Sequence, residues 1–259
     1  MERDRYDNGV PSWVDLGCPD VAAAAEFYGG LFGWDVEIGP PETGGYGIAH
    51  LKGRPVAGLG PQQNPGPPVW TTYVNVDDAE AAAAAFTANG GQVIVPPMDV
   101  MDQGRMAVFV DAVGAFISVW QPLAHTGAGL VNEPGTLSWN ELLTDDLDGA
   151  IAFYGAVFGW EAAVQGPPGG PPAYVEFKLN GAPVAGMMPR PPDMPAEVPP
   201  FWGVYFAVAD TDESLARLTE LGGSVMMGPM DIEPGRFAVV ADPAGAVFNI
   251  ITLSEALAG

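Results

Sequence analysis

The chain has 259 residues, of which 48% are hydrophobic, which is enough to form one or two globular domains. It carries 32 acidic residues against 9 basic ones, a net charge of −23. This excess argues against nucleic acid or an anionic membrane as a partner, because both attract clustered lysine and arginine.

Residues 1–9 and the hydropathy of the chain bear on where the protein is found. The first nine residues are charged and lack the apolar core of a signal peptide. No segment approaches the ~18 consecutive apolar residues of a membrane span. We therefore expect a cytoplasmic protein.

From residue 11 onward the pattern predicts a strand, a helix and three more strands. The helix begins after Asp20, a good N-cap, and places Ala24, Phe27, Tyr28 and Leu31 at helical spacing. Cys18, the only cysteine, excludes an intramolecular disulfide and a cysteine-based zinc site. The predicted strands span residues 11–17, 33–38, 45–51 and 54–60.

The same order of elements follows in the next sixty residues. A second helix runs from Ala79 to Ala88, is capped by Asp77 or Asp78, and ends at Asn89-Gly90-Gly91. The predicted strands span residues 70–76, 92–95, 105–110 and 115–120.

This whole pattern occurs twice, at an offset that drifts between 126 and 132 positions. The repeated motifs include Phe27-Tyr28-Gly29 with Phe153-Tyr154-Gly155, Phe32-Gly33-Trp34 with Phe158-Gly159-Trp160, and Pro55-Val56-Ala57-Gly58 with Pro183-Val184-Ala185-Gly186. The period is too long for a solenoid. We predict an α+β fold of two tandem modules, 11–121 and 136–253, joined by a linker over 122–135. The proline-rich segments 61–68 and 189–200 are expected to be loops within the modules.

These motifs resemble the vicinal-oxygen-chelate superfamily, which includes glyoxalase I, bleomycin-resistance proteins and extradiol dioxygenases. The resemblance rests on the Asp20…Phe27-Tyr28 and Asp146…Phe153-Tyr154 runs and on the Asp-x-x-Gly hairpins at 111–114 and 242–245. It extends to a two-module actinobacterial subgroup that includes a mycobacterial culture-filtrate antigen and proteins labelled hydroxylases. It implies that each module pairs two βαβββ units into a cup-shaped mixed sheet with its helices outside.

In that superfamily the cup holds a divalent metal through side chains on its first, fifth and eighth strands. The corresponding positions are Trp13, Thr71 and Ser118 in the first module and Trp139, Gly203 and Asn249 in the second. Apart from the weak amide of Asn249, none is a usual ligand, and the only histidines, His50 and His125, stand elsewhere. We therefore expect no metal site and no other cofactor.

Alternation along the strands predicts what lines the cups instead. Residues two apart share a face, so Asp15 accompanies Trp13 and Glu141 accompanies Trp139. The same rule adds further residues to the predicted ligand-binding lining, namely Tyr73 beside Thr71, Trp120 beside Ser118, and Tyr205 beside Gly203. Such a surface suits a flat aromatic ligand, unless the rings simply fill the cup.

Two arginines and two carboxylates complete the candidate site. Arg105 and Arg236 each follow a Pro-Met-Asp motif, and we expect each either to pair with the aspartate of that motif or to contact a ligand. Asp15 and Glu141 are the candidate catalytic groups, because a carboxylate among aromatic rings is suited to proton transfer. They could also bind a ligand or pair with Arg105 or Arg236.

Three classes of function remain open. The leading hypothesis is metal-independent binding of a small aromatic or polyketide-like metabolite, for sequestration or as a pathway accessory. The second is a glyoxalase-like lyase or an oxygenase that uses Asp15 or Glu141, or a non-standard metal site. The third is an interaction protein with vestigial cups. Since the chain supplies four βαβββ units, a monomer suffices for two cups, although a dimer is possible.

Overall fold

The structure is a computed structural model that describes residues 1–63, 65–192 and 194–254. Within these residues each half of the chain contributes eight strands and two α-helices, and the first half also contains a short 3₁₀ helix at Pro41–Thr43. The first half comprises β1 (Pro11–Cys18), α1 (Val21–Phe32), β2 (Asp35–Ile38), β3 (Gly47–Leu51), β4 (Arg54–Pro61), β5 (Val69–Asn75), α2 (Ala79–Ala88), β6 (Gln92–Val100), β7 (Gly104–Val110) and β8 (Phe116–Pro122). The second comprises β9 (Leu137–Thr144), α3 (Leu147–Phe158), β10 (Glu161–Gln165), β11 (Tyr174–Leu179), β12 (Ala182–Pro189), β13 (Phe201–Ala207), α4 (Thr211–Glu220), β14 (Ser224–Ile232), β15 (Gly235–Ala241) and β16 (Val247–Leu253).

The strands form two eight-stranded mixed sheets with the same topology. Their orders are β2-β3-β4-β1-β5-β8-β7-β6 and β10-β11-β12-β9-β13-β16-β15-β14. In the first sheet the two inner strands, β1 and β5, pair antiparallel, while β1 pairs parallel with β4 and β5 pairs parallel with β8. The predicted α+β fold of two tandem modules of paired βαβββ units is confirmed.

The helices begin and end where side-chain chemistry predicts. Asp20 accepts a hydrogen bond from the backbone of Ala23, and Gly33 ends α1 in the left-handed conformation. Of the two candidate caps for α2, Asp78 is the one used. Within the described ranges, no helix is long and apolar enough to cross a membrane.

One strand is longer than expected. The segment predicted as 92–95 continues as β6 to Val100, through Pro96 and Pro97. Proline is tolerated there because β6 is an edge strand that pairs only with β7. The described parts of the two proline-rich segments connect β4 to β5 and β12 to β13, while Asn64 and Asp193 fall outside the residues that the structure describes.

The cores are shared between the modules. One hydrophobic cluster packs Val14, Leu16 and Tyr28 of the first module against Phe206 and Phe248 of the second. A second cluster joins the other two half-modules in the same way. The two repeats are therefore packed through their helix-covered faces.

The two repeated tryptophans that follow α1 and α3 bond across this interface. Trp34 is buried and donates to the carbonyl of Gly135 at 2.7 Å, while Trp160 donates to Gly9 at the same distance. Trp34 and Trp160 are therefore core residues at the interface between the two repeats.

Candidate functional site

The two faces of each inner strand have separate roles. On β1, Val14, Leu16 and Cys18 face the shared core, whereas Trp13 packs on the opposite face with Tyr73 and Trp120. We call this opposite face the cup face. The first cup is defined by Trp13, Asp15, Tyr46, Thr71, Tyr73, Ser118 and Trp120, and the second cup by Trp139, Glu141, Tyr174, Gly203, Tyr205, Asn249 and Ile251.

Strand register brings most of the predicted site residues together. In the first cup Trp13 lies opposite Tyr73, Asp15 opposite Thr71, and Ser118 beside Tyr73. The second cup repeats this register, with the pairs Trp139–Tyr205, Glu141–Gly203 and Tyr205–Asn249.

The carboxylate of the first cup is held by tyrosines. Tyr73 and Tyr46 donate to Oδ2 of Asp15 at 3.0 and 3.1 Å, and Tyr46 accepts from Nε1 of Trp13 at 3.1 Å. Burial raises the pKa of Asp15 to about 6, although the two tyrosine hydrogen bonds oppose this shift. Asp15 therefore titrates close to neutral pH.

The second cup contains the same network around a longer side chain. Tyr205 donates to Oε2 of Glu141 at 2.7 Å, and Trp139 donates to the hydroxyl of Tyr174 at 3.0 Å. Burial raises the pKa of Glu141, while hydrogen bonds from Tyr205 and Tyr174 lower it. Of the alternatives left open for these carboxylates, pairing with an arginine is not the one observed, because tyrosine hydroxyls take that place.

Tyr46 and Tyr174 were missed by the strand-alternation argument. Tyr46 directly precedes β3 and Tyr174 is the first residue of β11, 128 positions later, so comparison of the repeats could have found them. Gly58 and Gly186 explain their placement. A Cβ atom would lie 1.8 Å from the Tyr46 hydroxyl at Gly58 and 2.0 Å from the Tyr174 hydroxyl at Gly186.

The first cup is covered by the chain that leaves it. We call residues 123–131 the strap. The His125 ring packs edge-on against Trp13 and Trp120, with centroids 4.4 and 5.6 Å apart, and its backbone oxygen accepts from Nε1 of Trp120 at 2.8 Å. Ala128 donates from its backbone to Ser12 at 2.8 Å. Only 3% of Trp13 remains exposed.

The second cup has a partly exposed Trp139, whereas its Glu141, Tyr205 and Asn249 are buried. Its apolar wall comes from β14 and β15, where Met227 lies opposite Val239 and Met230 opposite Phe237. Met227 and Met230 are 42% and 40% exposed, so apolar surface on this wall faces solvent.

Arg105 and Arg236 do not reach the cups. Arg105 pairs with Asp99 at 2.8 Å and with Glu80 of α2 at 3.0 Å, on the helix-covered face. Arg236 pairs with Asp231 and with Asp212 of α4, both at 2.9 Å. The arginine–aspartate pairing is thus the arrangement observed, and the predicted ligand contact is corrected, because the neighbouring residues Met106 and Phe237 are the ones that face the cups.

The side chains present do not form a metal-binding set of the superfamily's kind. Among the described residues, no group of three or more His, Cys, Asp or Glu could hold a metal ion. In each cup a single carboxylate already accepts tyrosine hydrogen bonds, and the neighbouring positions carry indole, hydroxyl, glycine or amide groups. Soft or borderline divalent ions usually require three protein ligands. We therefore derive no chemistry through a metal.

Cys18 is not a reactive group of the site. Its side chain is buried in the shared core and contacts the carbonyl of Gly60. Burial raises the pKa of its thiol to about 11. The thiol therefore stays protonated near neutral pH and has a structural role.

Similar full-length proteins come from actinobacteria. CFP32 of Mycobacterium tuberculosis, whose name proposes a glyoxylase, is 45% identical over 258 residues, covering 96% of this chain and 97% of its own. The anthracycline biosynthesis protein DnrV of Streptomyces peucetius is 40% identical over 267 residues, covering 97% and 96%.

Solved structures with the same fold are more distant in sequence. A Mn(II)-bound glyoxalase from Novosphingobium aromaticivorans aligns with a TM-score of 0.66 at 19% identity, over 95% of this chain and 83% of that one. The 2,3-dioxygenase LapB from Pseudomonas sp. KL28 also aligns at 0.66, with 14% identity, over 95% and 93%. The family model for these proteins matches residues 11–119 and 123–250. The chain belongs to the Glyoxalase/Bleomycin resistance protein/Dioxygenase superfamily, whose members act on or bind small molecules.

Proposed function

We propose that this chain binds a small, flat aromatic metabolite in its second cup and that binding requires no metal. One observation carries the proposal. Glu141 accepts a tyrosine hydrogen bond at the base of an aromatic and methionine-lined cup, at whose metal-ligand positions stand Trp139, Gly203 and Asn249.

The wall of the second cup supports an aromatic ligand. The ring centroids of Phe237 and Tyr205 lie 6.1 Å apart, and Met227 and Met230 extend the apolar surface toward solvent. Aromatic rings bind flat molecules by stacking and burial, while methionine adapts to irregular shapes and makes favourable sulfur–aromatic contacts. The name of the relative DnrV points to aromatic polyketide metabolism, which fits a fused-ring ligand.

An acid–base enzyme of the same superfamily is the second candidate. It is favoured by burial, which raises the pKa of Glu141 and so makes its carboxylate a stronger proton acceptor. In that case Glu141 would exchange a proton with the bound molecule, and Tyr205 would orient the carboxylate. Conversion of a bound ligand by the wild-type protein, lost in Glu141→Gln, would establish this role.

Binding is tested with anthracen-9-ylmethanol, a neutral three-ring probe that accepts excitation energy from tryptophan. We expect saturable energy transfer with one site per chain, unchanged after dialysis against EDTA and weakened at least fivefold in Met230→Asp. Glu213→Gln, on the exposed side of α4, is the matched surface control. Binding that disappears with EDTA and returns with added Mn²⁺ or Zn²⁺ would overturn metal independence. Absence of saturable binding by any flat aromatic probe would overturn the function itself.

A further inference from the structure

The carboxylate of the second cup has no positively charged partner among the described residues. Its hydrogen-bond donors are the neutral hydroxyls of Tyr205 and Tyr174. On the polar wall of the same cup, Lys178 is held by Glu176 at 2.9 Å. Burying an ionised carboxylate among neutral groups has a large desolvation free energy, unless a positive charge lies against it.

The two tyrosines do not use all the acceptor capacity of Glu141. A carboxylate offers about four lone-pair sites, and two phenolic hydroxyls occupy about two of them. Both hydroxyls donate their hydrogen bonds to the carboxylate, and the Tyr174 hydroxyl also accepts a hydrogen bond from Nε1 of Trp139. What remains in this part of the cup is acceptor capacity, which a ligand with N–H donors can satisfy.

The rings around the carboxylate also favour a cation. Tyr205 and Tyr174 hydrogen-bond to Glu141, the Tyr205 ring lies beside Phe237, and Trp139 donates to the Tyr174 hydroxyl. The face of an aromatic ring attracts ammonium groups, and recognition of organic ammonium ligands commonly combines several rings. The net charge of −23 acts in the same direction, because it concentrates cations near the protein and repels anions.

We infer that the second cup selects organic cations, namely flat aromatic molecules that carry a protonated amine placed against Glu141. This inference rests on the proposed function and specifies its ligand class. The neutral alternative, a protonated Glu141 that donates to a ligand oxygen, uses the same residues but predicts the opposite dependence on pH.

Three probes with the same ring system separate these possibilities. They are 9-(aminomethyl)anthracene, anthracen-9-ylmethanol and anthracene-9-carboxylate, titrated by tryptophan energy transfer at pH 7.5 and low salt. We expect the amine to bind at least tenfold more tightly than the alcohol, and the carboxylate to bind most weakly. Equal binding of amine and alcohol, or tighter binding of the carboxylate, would overturn the inference while leaving the proposed function intact. If none of the three binds, both are wrong.

Variants assign the preference to Glu141. Glu141→Gln keeps the shape of the side chain and removes its charge, so the amine-to-alcohol ratio should fall to about twofold or less while the alcohol still binds. Glu213→Gln removes the same charge from the surface and should leave the ratio unchanged. Loss of the ratio in Asp15→Asn, with retention in Glu141→Gln, would place the cation site in the first cup and contradict the assignment.

A pH titration of the wild-type protein tests the inference even if Glu141→Gln does not fold. The groups that face Glu141 are Tyr174 and Tyr205, whose pKa values are raised by burial, together with the paired Glu176 and Lys178. The tyrosines thus stay protonated between pH 5 and 8. Because burial raises the pKa of Glu141, affinity for the amine should rise with pH as this carboxyl group ionises, with the alcohol unaffected. An amine affinity that is constant or falls would refute the inference.

Discussion

Tyr205 donates its hydroxyl proton to Glu141 across 2.7 Å, and the two residues lie on adjacent antiparallel strands, β13 and β9. The same relationship joins Tyr73 to Asp15 at 3.0 Å in the first module. A hydrogen bond to the ionised carboxylate lowers its pKa and so opposes the effect of burial. The tyrosine therefore offsets part of the rise in pKa that burial causes in each acid.

Replacing Tyr205 with Phe should raise the pKa of Glu141 further and reduce the free energy of unfolding by about 1–2 kcal/mol, because a buried acceptor loses its donor. The pKa can be followed by ¹³C NMR of the glutamate carboxyl carbons, and the stability by urea unfolding at pH 7.5. Tyr73→Phe is the matched control and should leave the titration of Glu141 unchanged. An unaltered Glu141 pKa in Tyr205→Phe would show that the hydrogen bond does not control ionisation.

Gly58 and Gly186 should tolerate no side chain. A methyl group at Gly186 would lie 2.0 Å from the Tyr174 hydroxyl and 2.6 Å from Nε1 of Trp139, so Gly186→Ala must displace both rings. We expect the free energy of unfolding to fall by about 1–3 kcal/mol in Gly186→Ala and in Gly58→Ala, as at other overpacked sites. Gly17→Ala, whose nearest contact would be 3.8 Å, is the control and should change stability by less than about 1 kcal/mol. Equal effects in the three variants would contradict this account.

The sequence was most informative where periodicity and repetition agree. Strand alternation placed Trp13 and Asp15 on one face and their partner Tyr73 on the adjoining strand. Arg105 is a candidate because of the Pro-Met-Asp motif before it and not because of alternation, and the side chain that faces the cup is that of the next residue, Met106, which lies opposite Trp120. A shift of one residue moves a side chain to the other face, and the loop before β7 carries no signal that sets this register.

Other features of the site depend on contacts that no local pattern encodes. The strap has no periodicity, so nothing in residues 123–131 predicted that His125 would pack between two tryptophans that the repeat assigns to a cup. This contact buries Trp13, whereas Trp139, its counterpart in the repeat, is partly exposed.

Asp15 should make stability depend on pH in the acidic range. Its pKa is raised to about 6 in the folded protein, whereas an unfolded aspartate titrates near 3.9. The folded state therefore holds the proton more tightly, so the contribution of Asp15 to stability is complete below pH ~4 and is lost as pH rises through ~6. Across this pH interval the contribution of Asp15 to the free energy of unfolding should fall by about 2–3 kcal/mol.

Urea unfolding of the wild-type protein and of Asp15→Asn between pH 4 and 7 measures this contribution. The wild-type advantage over Asp15→Asn should shrink across that interval, since the amide does not titrate. Because other acidic residues act equally in both proteins, only the difference is diagnostic. A difference that stays constant with pH would mean that the folded-state pKa of Asp15 is unshifted.

The tyrosine–aspartate contacts between modules should couple their unfolding. Tyr154 of α3 donates to Asp111 at 2.5 Å and accepts from Nε1 of Trp202 at 2.9 Å. Tyr154→Phe leaves the Asp111 carboxylate and Nε1 of Trp202 without this partner. We therefore expect the free energy of unfolding to fall by about 2–4 kcal/mol. Tyr28→Phe, which breaks the equivalent contact with Asp242, should cost a similar amount. A change below about 0.5 kcal/mol in either variant would show that these buried contacts do not stabilise the interface.

His125 should make the strap sensitive to acid. Burial lowers the pKa of its imidazole to about 4, from an ordinary value near 6.5, so the docked strap favours the neutral ring. The stability that this provides is complete above pH ~6.5 and is lost as pH falls through ~4, with a total of about 3 kcal/mol.

Hydrogen exchange of the Ala128 amide, which is bonded to Ser12, reports on docking of the strap. After correction for intrinsic rates, its protection should fall between pH 6.5 and 4 in the wild-type protein but not in His125→Phe, whose ring cannot be protonated. His125→Ala should expose Trp13 at every pH, because the ring that covers it is gone. The same pH dependence in His125→Phe as in the wild type would assign the effect to the acidic residues of the cup rather than to the strap.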